Sequence, residues 1–344
     1  MNKNNQHSID VAEYIQRDIY KIIEELKRTT SATRVHRLLL ALENLEKVVN
    51  TAGFDIKYPK EYLFEKSKYE QENDKLIIRM AKDYVYYAQE YKDFNKKITQ
   101  IAPYIRRKYN IGSYNIYKDI VNIDETFKLT REFFKDYDQD MYDHFEDIAN
   151  SPRAIIADLG NDGLSFLGNH VIKSYLLLNP YRLIDDSITL AHELIHTYFG
   201  DKMRYMSDYE DYLFAVNNMH EVYPIFIELV MEDYLLQNNI HTEDVIKTHN
   251  LRTKVFLSTL DQFKKQEYIG CSEERYTYGY LLAYYYYKQY KKDPKKTKEN
   301  IFNLMIDSKT YERDYLFSHY GIDMDALTHP KLLERQLTKY MNKK

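Results

Sequence analysis

The most informative part of the sequence is KSYLLLNPYRLIDDSITLAHELIHTYFG at residues 173–200, followed downstream by HEVYPIFIE at residues 220–228. Residues 192–196 at its centre read H-E-x-x-H. Positions four apart lie one above the other on a helix, so the His192 and His196 imidazoles can bind one metal ion. The helix itself is predicted by apolar residues at helical spacing, namely Leu190, Leu194, Ile195 and Tyr198.

A third metal ligand is expected because a catalytic zinc site usually has three protein ligands and one open position. A third histidine ten residues after the first, as in metzincins, would fall at Lys202, so the metzincin pattern is excluded. Residues 212–220 contain no carboxylate, which argues against the shorter glutamate spacing of thermolysin-like enzymes. Glu221 comes next, within a second helical pattern, NNMHEVYPIFIELVMEDYLL. We therefore predict that His192, His196 and Glu221 bind one zinc ion per chain.

The segments YLLLN, DDSITLAHELIHTYF and EVYPIFIELVMEDYLL resemble the active-site region of the thimet oligopeptidase and oligoendopeptidase F family of gluzincin-type zinc peptidases. That family has an H-E-x-x-H helix and, about twenty-five residues on, a glutamate that opens an E-x6-E run. The resemblance implies that His192, His196 and Glu221 are the zinc ligands and that Glu193 is the general base. Ile195 stands where the family usually has glycine, which adds a larger side chain but removes no ligand.

The resemblance extends to YTYGYLL at residues 276–282, which is similar to a tyrosine-rich stretch that faces the zinc in the family. Tyr276 and Tyr280 share a predicted helix face, and either hydroxyl could donate to the oxyanion of the reaction. Packing without a catalytic role is the alternative for both. We predict that His220 contacts either the substrate or one of the metal-binding residues. We also predict that Glu228 accepts the N–H of a metal-binding histidine.

The fold class expected is mainly α, a zincin-like catalytic domain of long helices with a small β-sheet beside the metal-binding helix. Nine glycines and seven prolines in 344 residues favour long helices. AIIADLG, LSFLG and SYLLLN, between residues 154 and 179, are short runs broken by glycine and predict the sheet. Residues 164–168 are interpreted as an edge strand that binds substrate backbone, with a strand that only covers the core as the alternative.

Amphipathic patterns predict further helices. They cover residues 8–27, 31–52 with Gly53 as C-cap, 59–99 in pieces, 124–149, 243–265, 273–291, 298–307 and 326–341. Asp185 and Asp186 are predicted to cap the metal-binding helix.

The resemblance covers residues 125–340 and predicts two regions. Residues 1–123 would form an N-terminal helical region, a reduced lid or roof, and residues 124–344 the zinc metallopeptidase catalytic domain. Family members usually have a longer roof that restricts entry to short peptides. The shorter region here predicts a more open cleft, which could admit a longer or dedicated substrate such as the leader of a precursor peptide.

Charge, cysteine content and apolar patterning indicate which classes of partner and which cellular compartment to expect. A formal net charge of −4, from 49 basic and 53 acidic residues, gives no electrostatic footprint for nucleic acid. Cys271 is the only cysteine, which excludes an internal disulfide and fits a reducing compartment. No signal-peptide pattern and no run of eighteen apolar residues occurs. We predict a cytoplasmic protein without a membrane or nucleic-acid partner; its oligomeric state is not predicted.

The expected function is zinc-dependent endopeptidase action on short or unstructured peptides. Three alternatives stay open: a dedicated processing peptidase for one precursor peptide, a non-catalytic zincin-fold protein that binds peptides, and a helical interaction protein without metal. Zinc analysis of the purified chain separates the last of these from the others.

Overall fold

The computed structural model describes residues 3–56, 96–110, 117–157, 163–205, 219–265, 272–308 and 313–341. Within these ranges the chain is mainly helical and contains a small three-stranded sheet, which confirms the mainly α fold class. Residue contacts divide the chain into two compact units, Met1–Ile78 with Val121–Glu210 and Arg79–Ile120 with Asp211–Lys344. The functional division expected between residues 123 and 124 stays a prediction.

The elements of the first unit and of the second unit alternate along the chain. In chain order they are α1 (Lys3–Leu26), α2 (Ala32–Ala52), α3 (Ile101–Lys108), α4 (Ile123–Tyr137), α5 (Gln139–Ala149), β1 (Ala154–Ile156), β2 (Gly163–Phe166), β3 (Tyr175–Leu178), α6 (Ile184–Met203), α7 (Val222–Gln237), α8 (Thr242–Lys265), α9 (Ser272–Tyr290), α10 (Pro294–Asp307), α11 (Arg313–His319), α12 (Met324–Thr328) and α13 (Pro330–Leu337).

The first unit begins with α1 and α2, which pack against each other. The bounds predicted for α2 are confirmed within one residue, and α1 begins five residues before its predicted start. Apolar residues at helical spacing on α1, including Val11, Ile15 and Ile19, are buried. The Ser31 hydroxyl accepts the backbone N–H of Arg34 and caps the start of α2. Gly53, with φ of 70°, ends that helix in the left-handed conformation that glycine adopts readily.

The single helix predicted at residues 124–149 is wrong. Two helices, α4 and α5, meet at Asp138, whose backbone is extended with φ −162° and ψ 125°. The Asp138 carboxylate accepts the backbone N–H of Met141 at 3.4 Å, as an N-cap does. Capping by aspartate therefore interrupts an apolar pattern that is otherwise continuous.

The sheet of the first unit confirms the predicted change of period. Its strand order is β1-β3-β2, with β1 parallel to β3 and β2 antiparallel to β3. All four residues of the central strand β3 are buried, and α6 packs against β2 and β3. Among the residues described, β2 lies at an edge of the sheet.

The second unit is built from α3 and α7–α13, and α9 packs against α7, α8 and α10. The helices predicted at residues 243–265, 273–291 and 298–307 are confirmed as α8, α9 and α10. The single helix predicted at residues 326–341 is wrong because Pro330 starts a new helix and holds His329 extended, with φ −85° and ψ 110°. The helix predicted at residues 59–99 lies almost wholly outside the described residues.

None of the helices described has the length and apolarity needed to cross a lipid bilayer.

Candidate metal centre

The two histidines of H-E-x-x-H lie one turn apart on α6, and their rings meet. The Nε2 atoms of His192 and His196 are 3.2 Å apart, and both side chains are buried. Neutral imidazole nitrogens are metal ligands through their lone pairs. Two such nitrogens at this separation can bind a common cation.

The start of α6 is fixed by Asp186. Its carboxylate accepts the backbone N–H groups of Tyr181, Arg182 and Leu183 at 3.1, 2.8 and 3.2 Å. Burial raises the pKa of Asp186 to about 6, against the opposite effect of these three donors. The capping role predicted for Asp186 is confirmed, and the bonds tie the incoming loop to the first turn of the helix that carries both histidines.

Glu193, between the two histidines in sequence, packs against the edge strand β2. The Ser165 hydroxyl donates a hydrogen bond to Glu193 Oε2. A Cβ atom placed on Gly163 would lie 3.0 Å from Glu193 Cγ and 3.0 Å from Thr189 Cγ2. The strand therefore approaches the helix closely at this glutamate.

Glu221 immediately precedes α7 in the second unit and is buried. Pro224 lies in the first turn of α7, where its missing N–H removes no helical hydrogen bond, so the helix begins here. The Glu221 carbonyl accepts the N–H of Ile225 at 3.1 Å. His220 lies in the preceding turn and is partly exposed.

Gly279 of α9, in the same unit, lies close to Glu221. A Cβ atom on Gly279 would lie 2.7 Å from Glu221 Cβ, 2.9 Å from Ile225 Cδ1 and 3.2 Å from the Glu221 carbonyl carbon. Real Cβ atoms do not approach other atoms this closely. The absence of a side chain at position 279 therefore allows α9 to contact the backbone of Glu221.

One ligand atom each of His192, His196 and Glu221 lies within 4.8 Å of the other two, and all three residues are buried. Two imidazoles and a carboxylate form a group that could hold a metal ion. These are the three residues that the sequence predicts as ligands.

Within the described part of the chain, a second group with the same spacing consists of His144, Asp147 and Asp201. Arg153 donates to Asp147 at 2.6 Å and to Asp201 at 3.3 Å, and Lys173 donates to Asp147 at 2.9 Å. Two cations thus already compensate the two carboxylates. We interpret this group as an ion-pair cluster that joins α5, α6 and the sheet.

Glu228, predicted to accept the N–H of a ligand histidine, forms an ion pair inside the second unit. Its Oε1 lies 2.5 Å from Arg252 Nη1, and both side chains are largely buried. A charge-assisted bond of this kind holds the Glu228 carboxylate against α8. The predicted bond to a histidine stays a prediction.

The two tyrosines singled out on α9 differ in environment. Tyr280 is buried, and its ring lies 4.7 Å from that of Phe256 and 6.4 Å from that of Tyr284. Burial, assisted by the charge of Glu228, raises the Tyr280 pKa well above its usual value, so the hydroxyl keeps its proton. Tyr276 is 38% exposed. Tyr276 is therefore the more accessible of the two.

The residue pattern did not predict Ser165, Arg252 or the role of Gly279. A glycine inside a helical pattern signals close packing, so Gly279 offered a local indication. Ser165 and Arg252 offered none, because each is distant in sequence from the glutamate it contacts.

No family model, no curated protein and no solved structure matches the chain significantly.

Proposed function

We propose that this chain is a zinc-dependent endopeptidase with a zincin-like catalytic fold that hydrolyses short or unstructured peptides. The observation that carries the proposal is the group formed by His192, His196 and Glu221, with the carboxylate of Glu193 on the same helix as both histidines. A site with this ligand set and an adjacent carboxylate suits metal-assisted hydrolysis.

Zinc suits these three residues by ligand type, and the two histidines also suit it by distance. Two histidines and a glutamate are a recurrent ligand set of catalytic zinc. Two nitrogens bound to zinc at the usual length and a tetrahedral angle lie about 3.3 Å apart. The His192–His196 separation of 3.2 Å supports this choice of ion.

The roles proposed for the chain's own residues are proton transfer and stabilisation of the negative charge on the carbonyl oxygen. When bound, zinc supplies Lewis-acid polarisation of the scissile carbonyl and acidifies water. Glu193 takes a proton from the attacking water, whose oxygen bonds to the carbonyl carbon. As the C–N bond breaks, Glu193 delivers that proton to the leaving nitrogen. A hydroxyl of Tyr276 or Tyr280 donates to the carbonyl oxygen while that oxygen is negatively charged.

A mixed peptide pool tests the proposal directly. The chain, loaded with one equivalent of zinc, should generate new peptide termini that are detected by mass spectrometry. Removing the metal by chelation and dialysis should stop the cleavage, and one equivalent of zinc should restore it. Peptides that bind the zinc-loaded chain without being cut would instead indicate a non-catalytic binding protein.

Gly279→Ala is expected to lower zinc affinity about tenfold or more. The added methyl group must displace Glu221 or Ile225, and a displaced carboxylate is a poorer ligand. Competition with a chromophoric chelator measures the affinity. Ala283→Val is the control, because it adds bulk to α9 one turn further on. Equal losses of affinity in both variants would show that overpacking of α9, and not displacement of Glu221, is responsible.

A further inference from the structure

Glu193 is contacted by two residues of a single strand. Gly163 and Ser165 are two positions apart on β2, so they point to the same face of the strand. Gly163 leaves room for the Glu193 Cγ and the Thr189 methyl group, and the Ser165 hydroxyl donates to Glu193 Oε2. A side chain at position 163 would crowd Glu193 and Thr189, and Ser165 provides a hydrogen-bond donor.

The strand that carries the hydroxyl is held in register by the buried core of the sheet. Ser165 pairs with Leu176, and Gly163 pairs with Leu178, on the fully buried strand β3. A slip of one residue would turn Ser165 to the opposite face. The donor is therefore presented to Glu193 by a strand whose register is fixed by its pairing with β3.

Hydrogen-bond chemistry fixes the direction of this contact. An ionised carboxylate only accepts, and a serine hydroxyl has one proton to donate. A bond to a charged acceptor is stronger than one between neutral groups. The bond to Oε2 restrains the side chain, and the remaining lone pairs of the carboxylate can still accept a proton.

We propose that Ser165 is a positioning residue for Glu193, holding its carboxylate in the orientation needed for proton transfer. The catalytic part of this inference rests on the proposed peptidase function. Small displacements of a reacting group reduce rates steeply, by up to about a hundredfold for about 1 Å. The loss should appear in kcat, because Ser165→Ala removes only the hydroxyl that contacts Glu193 and keeps the main-chain groups with which an edge strand would bind substrate.

Replacement of Ser165 provides the kinetic test. Ser165→Ala is expected to reduce kcat about ten- to a hundredfold, with KM and zinc content unchanged. Ser165→Thr keeps the hydroxyl and suits a strand, so it should restore most of the activity. Ser174→Ala is the matched control: it removes a buried serine hydroxyl that accepts the Gly168 N–H at 2.8 Å, and it should lower stability without a selective loss in kcat. An unchanged kcat in Ser165→Ala, or a Ser165→Thr variant as slow as Ser165→Ala, would overturn the inference.

Thermal unfolding of the metal-free protein gives a test that needs no activity. Ser165→Ala should lower Tm by more in the wild-type background than in a Glu193→Ala background, because only the former contains the bond. Equal decreases would overturn the inference even if kcat falls. Should the wild-type chain cut no peptide at all, the proposed function fails, and the two Tm decreases alone decide whether Ser165 holds Glu193.

Discussion

Glu193→Gln should keep one zinc per chain and lose about 10²–10⁴-fold in kcat on any peptide that the wild-type chain cleaves. Glutamine has nearly the same shape as glutamate, and its carbonyl oxygen can still accept the Ser165 hydroxyl. The amide cannot take a proton from water at neutral pH, so the proton-transfer step loses its base. Zinc content should not change, because Glu193 is absent from the ligand group.

Glu193→Asp distinguishes the presence of a carboxylate from its correct position. Glu193→Asp keeps the carboxylate but shortens the side chain by one methylene, which withdraws it from Ser165. We expect an activity between those of the wild type and Glu193→Gln, measured on a quenched peptide library. Full activity in Glu193→Gln would show that Glu193 is not the base.

Glu221→Ala should lower zinc affinity by at least about a hundredfold and abolish peptide cleavage at stoichiometric zinc. The change removes the carboxylate, one of three proposed ligands, and leaves the two histidines of α6. Glu221→Gln should be less severe, since an amide oxygen can still coordinate, though as a neutral and weaker ligand. Zinc titration against a competing chelator gives both affinities.

The control for this prediction is Asp233→Asn in α7, the helix that follows Glu221. The Asp233 carboxylate accepts the Tyr287 hydroxyl at 2.5 Å and belongs to a different cluster of the second unit. Its loss should reduce stability and leave zinc affinity within about threefold of the wild-type value. Wild-type zinc affinity in Glu221→Ala would exclude Glu221 as a ligand.

Much of the helical framework could be predicted because its signals are local. Periodic apolar residues predicted α1 and α2, and Gly53 predicted where α2 ends. The two predicted helices that proved to be broken contained local signals as well. Asp138 is a strong N-cap residue, and Pro330 requires a helix start, but a continuous apolar pattern on both sides obscured them.

The candidate site could be predicted only where the spacing of residues along the sequence carries the information. His192 and His196 follow from the i, i+4 rule, and Glu221 from its place in the next helical pattern. The contacts of Ser165 with Glu193 and of Arg252 with Glu228 depend on how strand and helix, or helix and helix, pack. The sequence does not specify such pairs, because the residues around Ser165 and Arg252 do not distinguish them from other serines and arginines of the chain.

X-ray absorption at the zinc edge of the chain, loaded with one equivalent of zinc, tests whether His192, His196 and Glu221 together bind one zinc ion. We predict a four-coordinate site with two imidazole nitrogens and one carboxylate oxygen from the protein, all at about 2.0–2.2 Å. The spectrum of Glu221→Ala should lose the carboxylate. A zinc environment without two imidazoles, or one that is identical in the wild type and Glu221→Ala, would show that these three residues are not the zinc ligands.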